Sequence, residues 1–292
     1  MPNAKRDDNP RDKQDRRERL LGSYATLPGV HDEMLAADGS IRPQWEGLLD
    51  EWTNFSPDEL LRRIALAERH LSDAGVSYRI RNEASLDDML AGERSWPMSH
   101  MPLPIAEDEW RAIEKGVAQR AGLLEAVLRD LYGPARLVQE GALPAAAIVG
   151  SPDFLRPLKG ASVPGGQHLQ VYACDLGRGP DGRWWVLGDR TQAPSGAGYA
   201  LENRLAMARA FPDLYRAMNV ERLASFFQGF RAGLVSRARR ADPRICLLTP
   251  GPLSETYFEQ AYLARYLGFL LVEGGDLVMR DDMVHVLSLI HI

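Results

Sequence analysis

The chain has little cysteine, little surplus charge and no long apolar run. Its two cysteines, Cys174 and Cys246, stand in separate apolar, strand-like segments and not at metal-ligand spacing. That excludes a disulfide framework or a cysteine zinc site and leaves them expected as reduced core residues. A formal net charge of −5, from 35 basic and 40 acidic side chains, offers no basic face, so neither nucleic acid nor an anionic membrane is expected as a partner. No stretch of about 18 apolar residues and no signal-peptide core is found, which predicts a soluble, cytoplasmic protein. The six histidines (31, 70, 100, 168, 285 and 291) are scattered without ligand spacing, and none is assigned to a metal.

What is present is a 292-residue chain of 45% apolar composition, enough for a large core and two domains. Residues 1–19 mix seven basic with five acidic side chains and read as a disordered tail, taken to extend to 23. Ser56, followed by Pro57, Asp58 and Glu59, is a helix start, with Gly75 as its stop. Val76 to Arg81 reads as a short strand. A second helix begins near Ala106 and carries Trp110, Ile113, Val117, Leu124, Val127, Leu128 and Leu131 at helical spacing before Gly133-Pro134 ends it. Arg120 lies on its solvated face. Leu201–Arg216 and Val220–Arg239 are also periodic. Arg244 to Glu273 reads strand, helix, strand, with Ser254 as cap and Gly268 as stop, a βαβ unit of a parallel sheet.

The richest stretch is WWVLGDRTQAPSGAGYALENR, residues 184–204. An aromatic and β-branched strand leads into a turn whose Gly196 and Gly198 free backbone N–H groups for close approach. Asp189, Arg190, Thr191, Gln192, Ser195, Glu202, Asn203 and Arg204 gather at its end, the donor and charge set that a phosphate or carboxylate needs. Upstream, LQVYACDL (169–176) is a second strand. Asp181-Gly182 between them is a two-residue hairpin signal that pairs 175 with 188 and 174 with 189. Asp175 and Asp189 then share one end of the hairpin on opposite faces, and a one-residue bulge would put both on one face as a Mg2+ site. The alternative is a strand-end carboxylate bonded to Arg190 or Arg178.

The hairpin with DRTQAPSGAGYALENR, followed by ICLLTPGP, YFEQAYLARYLG and LLVEGGDL, resembles the circularly permuted type 2 ATP-grasp family from about Tyr24 to Val286. Better known relatives are amide-forming ligases of the glutathionylspermidine synthetase type. The resemblance implies ATP-dependent ligation of a small-molecule or peptide carboxylate to an amine through an acyl phosphate, with ATP and Mg2+ as cofactors. It implies Asp175 and Asp189 as metal ligands, Arg190 and Arg204 as catalytic cations, and Thr191, Gln192, Ser195, Gly196, Gly198 and Asn203 as nucleotide contacts. Glu255, Glu273 and Asp276 are then expected to help hold substrate. The pattern departs from the usual ATP-grasp acid pair, because Gly188-Asp189-Arg190 stands where glutamate, one residue and asparagine are usual.

The implied fold is a mixed α+β and α/β one: a helical region and metal-bearing hairpin lobe over 24–240, then the start of a small α/β domain over 241–287. Residues 288–292 read as a foreign tail and the whole as an N-terminal fragment. Three rival functions are weighed. A non-catalytic nucleotide-binding or scaffold protein on the same fold is the first, and a helical interaction protein without a ligand the second. The third, a nicotinamide dehydrogenase, is rejected because TPGPLSE has one glycine where the dinucleotide fingerprint needs three.

Overall fold

The structure is a computed structural model that describes residues 10–79, 92–238 and 240–287. In chain order its elements are α1 (Pro10–Leu21), α2 (Pro43–Thr53), α3 (Pro57–Asp73), β1 (Ser77–Arg79), β2 (Glu93–Ser95), α4 (Glu107–Tyr132), α5 (Arg136–Gln139) and α6 (Ala145–Val149). There follow β3 (Ala173–Arg178), β4 (Trp184–Arg190), α7 (Ala197–Ala210), α8 (Pro212–Ala217) and α9 (Ala224–Val235). The last are β5 (Cys246–Leu248), α10 (Tyr257–Leu267), β6 (Leu270–Val272), β7 (Leu277–Arg280) and β8 (Met283–Val286). Among the described residues the strands form four two-stranded sheets, of which β5–β6 is parallel and the others are antiparallel.

The described chain divides into two compact units. One is built from the residues up to Pro104, Ser195–Phe227 and the residues from Arg244 on, and it holds the main apolar core. There Trp45, Leu48, Leu49 and Trp52 of α2, Ala67 and Leu71 of α3, and Ala206, Met207, Ala210 and Phe211 at the end of α7 pack together. Phe211 is fully buried, stacks on Trp52 at 5.0 Å and meets Phe55 edge-on. Pro212 follows it, so the helix must break at that point. The single periodic run read from 201 to 216 is therefore two helices. Ser56 caps α3, its Oγ accepting from the Glu59 N–H at 3.2 Å, and Gly75 ends the segment with φ +68.

The other unit comprises Ile105–Pro194 and Gln228–Pro243. Its spine is α4. Near the end of that helix, Glu125 accepts the backbone N–H groups of His168 and Leu169 (2.7 to 3.2 Å), and Tyr132 stacks on His168 and packs against Phe154. Burial alone would raise the Glu125 carboxyl. The two N–H donors outweigh it and hold the carboxyl below its ordinary range.

Several expectations change. Residues 10–21 form a helix, tied to α2 by the Arg17 guanidinium on Asp50, where a disordered tail was expected. Cys246 is exposed and Cys174 half-buried, so neither is a core thiol. Ser254 does not cap α10. Thr256 occupies that position without a side-chain cap bond, because the chain turns over 251–257, with Ser254 N–H on the Gly251 carbonyl and Tyr257 N–H on the Ser254 carbonyl, before the helix begins. The expectations for residues 1–9, 80 and 81, Arg239 and 288–292 lie outside the described residues.

Candidate functional site

The hairpin β3–β4 reaches its register by two departures from regularity. The turn is a three-residue loop, Pro180-Asp181-Gly182. The Gly182 N–H donates to the Gly179 carbonyl, the Gly179 N–H donates to the Arg183 carbonyl, and Gly182 takes φ +78. This is the three-residue turn with glycine in the left-handed region, not the two-residue turn expected. It pairs Arg178 with Trp184 and Leu176 with Val186, one step off the expected register. A bulge at Leu187 then restores it, so that Asp175 pairs with Gly188 and Cys174 with Asp189. The bulge lies on the turn side of both aspartates. Asp175 and Asp189 therefore stay on opposite faces.

On one face α4 is pinned at two points. Arg178, almost fully buried, grips Glu109 with two bonds of 2.6 and 3.1 Å and lies over the Trp184 ring at 4.2 Å. Farther along, Arg120 grips Asp189 with Nε and Nη2, both at 2.6 Å, and Tyr172 donates its hydroxyl to the same carboxylate at 2.6 Å. The helical rise from Glu109 to Arg120 is about 16 Å, and on the hairpin Arg178 and Cys174, the residue opposite Asp189, stand about 13 Å apart. The long arginine side chains span the difference. The Arg120 guanidinium, helped by the Tyr172 hydroxyl, holds the Asp189 carboxyl down at about 2. Burial and that hydrogen bond push the Tyr172 hydroxyl well above its ordinary value. On the other face Arg190 reaches back to Asp175 at 3.0 to 3.2 Å, over Gly188, where a side chain would crowd the Asp175 carboxylate.

Each aspartate expected to bind metal thus holds an arginine, and the two do not converge. Among the described residues no group of three or more histidine, cysteine or acidic side chains is placed to hold an ion. The donor set at the end of β4 suits an anion better than a cation: two guanidinium groups, one hydroxyl, and Thr191 and Gln192 exposed beyond them.

The remaining expected contacts lie in the other compact unit. There the glycine turn is already occupied. Glu259 of α10, only 2% exposed, accepts the Gly196 N–H at 2.7 and 2.8 Å and the Gly198 N–H at 2.8 Å. Its carboxylate fills the positive N-terminus of α7 as an external anion would. Asn203 accepts from the Trp96 indole at 2.9 Å, and Arg204 donates to the Glu221 carbonyl at 3.0 Å and lies over Tyr215. Ser195 is exposed. Tyr199 stacks on Trp96 at 4.1 Å and donates to the Ser77 carbonyl; burial, with the Glu259 charge nearby, pushes its hydroxyl up to about 12.

Glu273 and Asp276 serve each other, the Asp276 carboxylate accepting the Glu273 N–H at 2.8 Å in a reciprocal cap of the turn at 274–276. Glu255 lines a cleft against α10. Sequence reasoning missed Glu259 as the partner of the glycine turn, although an acid beside Phe258 and one helical turn from Tyr262 and Leu263 signals an internal partner. It also missed a chain running from the buried Glu202 to the surface, in which His70 bridges Glu202 (3.1 Å) and the exposed Arg209 (2.6 Å). Because the guanidinium only donates, His70 accepts at Nδ1 and carries its proton on Nε2 toward Glu202.

Comparison with known proteins decides the family. The model of the circularly permuted ATP-grasp type 2 family matches residues 102–291. The chain belongs to that family. The uncharacterized protein Mb2597 of Mycobacterium bovis is 37% identical over 93% of this chain and 33% of its own length. The uncharacterized protein sll0335 of Synechocystis is 37% identical over 89% of this chain and 53% of its own. The uncharacterized protein ML0605 of Mycobacterium leprae is 33% identical over 93% and 48%. The chain thus spans about a third to a half of the length of these curated relatives. Its mixed helices and small sheets are this family's circularly permuted ATP-grasp fold. Among the described residues no helix is long and apolar enough to cross a membrane.

Proposed function

We propose that this chain is part of an ATP-dependent carboxylate–amine ligase and that the end of the β3–β4 hairpin meets the nucleotide's phosphates. Family membership supports the reaction class. The observation that carries the site is the Arg120 guanidinium, fixed by Asp189 beside the Tyr172 hydroxyl at the end of β4, with Arg190, held by Asp175, on the opposite face of the same strand end.

In this reading the acceptor carboxylate attacks the terminal phosphorus of ATP, and the bond to the departing ADP breaks. The amine nitrogen then attacks the acyl carbon, a C–N bond forms, phosphate leaves, and the amine gives up a proton. Phosphoryl transfer depends on positioning and charge neutralisation more than on proton removal. The residues of this chain that serve it are the two guanidiniums, which neutralise phosphate charge, and Tyr172 with the two aspartates, which fix their direction. Thr191 and Gln192 supply further donors. Gly196, Gly198 and Asn203 are assigned to holding the fold, since their polar groups are engaged internally. No step is assigned to a metal ion held jointly by Asp175 and Asp189.

The test is calorimetric titration of ATP, with and without Mg2+, into the chain and its Arg120→Gln and Arg190→Gln forms. Saturable binding weakened about tenfold or more in each variant supports the reading. Binding indifferent to both substitutions sinks it. One observation favours a second reading, a nucleotide-binding protein without turnover: each candidate metal carboxylate is already neutralised by an arginine. ATP binding without any ADP release in the presence of Mg2+ would support that alternative.

A further inference from the structure

Two clasps join α4 to the β3–β4 hairpin, and they differ in how far water reaches them. The Glu109–Arg178 pair is the closed one. The Arg178 side chain is 9% exposed, and besides gripping Glu109 it donates to the Gly182 carbonyl at 2.9 Å and covers the Trp184 ring. One guanidinium thus holds the helix, the turn and both strands. The Arg120–Asp189 pair is the open one, with Arg120 43% exposed. An ion pair in water holds a side chain weakly, so where Arg120 stands depends on where α4 is held.

The helix makes that dependence direct. From Glu109 to Arg120 it completes three turns and about 20°, so both side chains leave α4 on one face. The fully buried residues of α4 are Ile113 and Leu131, and apolar contacts alone leave rotation and slippage loosely specified. Charge fixes both. Acid precedes base along the helix face, while on the hairpin face, counted from the turn, base precedes acid, so each charge meets its opposite in one register only. A slide of one turn would set Ile113 against Arg178 and Leu124 against Asp189, and the buried guanidinium would lose its carboxylate. Setting register is the best-attested use of a buried ion pair, whose net contribution to stability is small.

We propose that the Glu109–Arg178 pair positions Arg120, fixing the register of α4 so that the Arg120 guanidinium stands at the strand end assigned to the phosphates. Glu109 and Arg178 touch no reacting group; they act through the helix. A displacement of about 1 Å in such a group is enough to matter. This role deepens the nucleotide reading and rests on it, yet its first test needs no nucleotide, so the two fail separately.

The Arg120 Nε–H, which donates to Asp189, is followed by hydrogen exchange in nitrogen-15 NMR spectra, its signal identified by its loss in Arg120→Gln. Glu109→Ala is expected to speed that exchange about tenfold or more while the backbone amides in the second half of α4 keep their protection. Glu109→Gln, which still accepts from Arg178, should return it to within about twofold of the parent. Glu107 pairs with Arg111 on the same helix, and Glu107→Ala should change nothing. ATP affinity should follow the same order, about fivefold or more weaker in Glu109→Ala. Nε–H exchange unchanged in Glu109→Ala overturns the proposal, and so does equal loss of backbone protection, the mark of a pair that only stabilises the fold. If the exchange follows the order and ATP does not bind the parent, the positioning of Arg120 stands and phosphate as its ligand falls. If circular dichroism shows Glu109→Ala unfolded, Arg178→Lys, which keeps the charge and gives up the second bond, decides by the same signal.

Discussion

Glu259 sets its carboxylate against the N–H groups of Gly196 and Gly198, so the helix N-terminus that looks open in the sequence is closed by the protein's own anion. The contact ties α10 to α7 across 61 residues of sequence. Its value comes from burial, because a charge-assisted bond out of water is stronger and its loss leaves donors without a partner.

Glu259→Ala should therefore destabilise the chain by about 3 kcal/mol, and Glu259→Gln, which keeps one acceptor, by about half of that. Urea unfolding followed by circular dichroism measures both. A midpoint unchanged in Glu259→Ala would show that the contact contributes nothing.

Gly198 is required by the same contact. A Cβ there would stand 2.9 Å from the Glu259 Cγ and 3.4 Å from the Leu263 Cγ, so Gly198→Ala should cost about 1–3 kcal/mol. The cost should shrink in a Glu259→Ala background, where the closer clash is gone. Additive effects in that double-mutant cycle would contradict the geometry.

Asp189 should titrate with a midpoint near 2, and in Arg120→Gln the midpoint should rise toward its ordinary 3.8, held back in part by the Tyr172 hydroxyl. The folded carboxyl is lowered relative to the unfolded one. Its contribution to stability is present in full above about pH 4 and is lost as pH falls through about 2. Carbon-13 NMR of the aspartate carboxyls gives the midpoints. A parent midpoint near 4 would mean that the clasp is not formed in solution.

Phe211 carries the centre of the main core, and Phe211→Ala should cost about 3–5 kcal/mol. Leu27, 70% exposed, gives the comparison. Leu27→Ala should stay within about 0.5 kcal/mol. Equal effects would mean that Phe211 is not buried in solution.

The long periodic elements were legible. The helix from Pro57, the helix from Glu107 and the βαβ unit around α10 stand where apolar spacing put them, the first with the Ser56 cap expected for it. So was the pairing of Cys174 with Asp189 and Asp175 with Gly188. What sequence could not supply was which donors were already taken. Gly196 and Gly198 read as a cradle for an external anion because Glu259 is remote in sequence. Arg120 read as solvated because its partner lies 69 residues away. Local pattern specifies an element; it does not say which distant side chain will arrive at its end.

The hairpin holds two irregularities of opposite sense, a turn one residue longer than expected and an extra residue at Leu187. Each alone would rotate every side chain beyond it to the wrong face, since side chains alternate with period two. Together they cancel. At fixed length loop and bulge therefore form a matched pair: a regular ladder run on from the three-residue turn would set Leu187 opposite Asp175 and Gly188 opposite Cys174, and would turn Asp189 away from Arg120. In this family a hairpin of the same length with the two-residue turn is expected to run without the bulge.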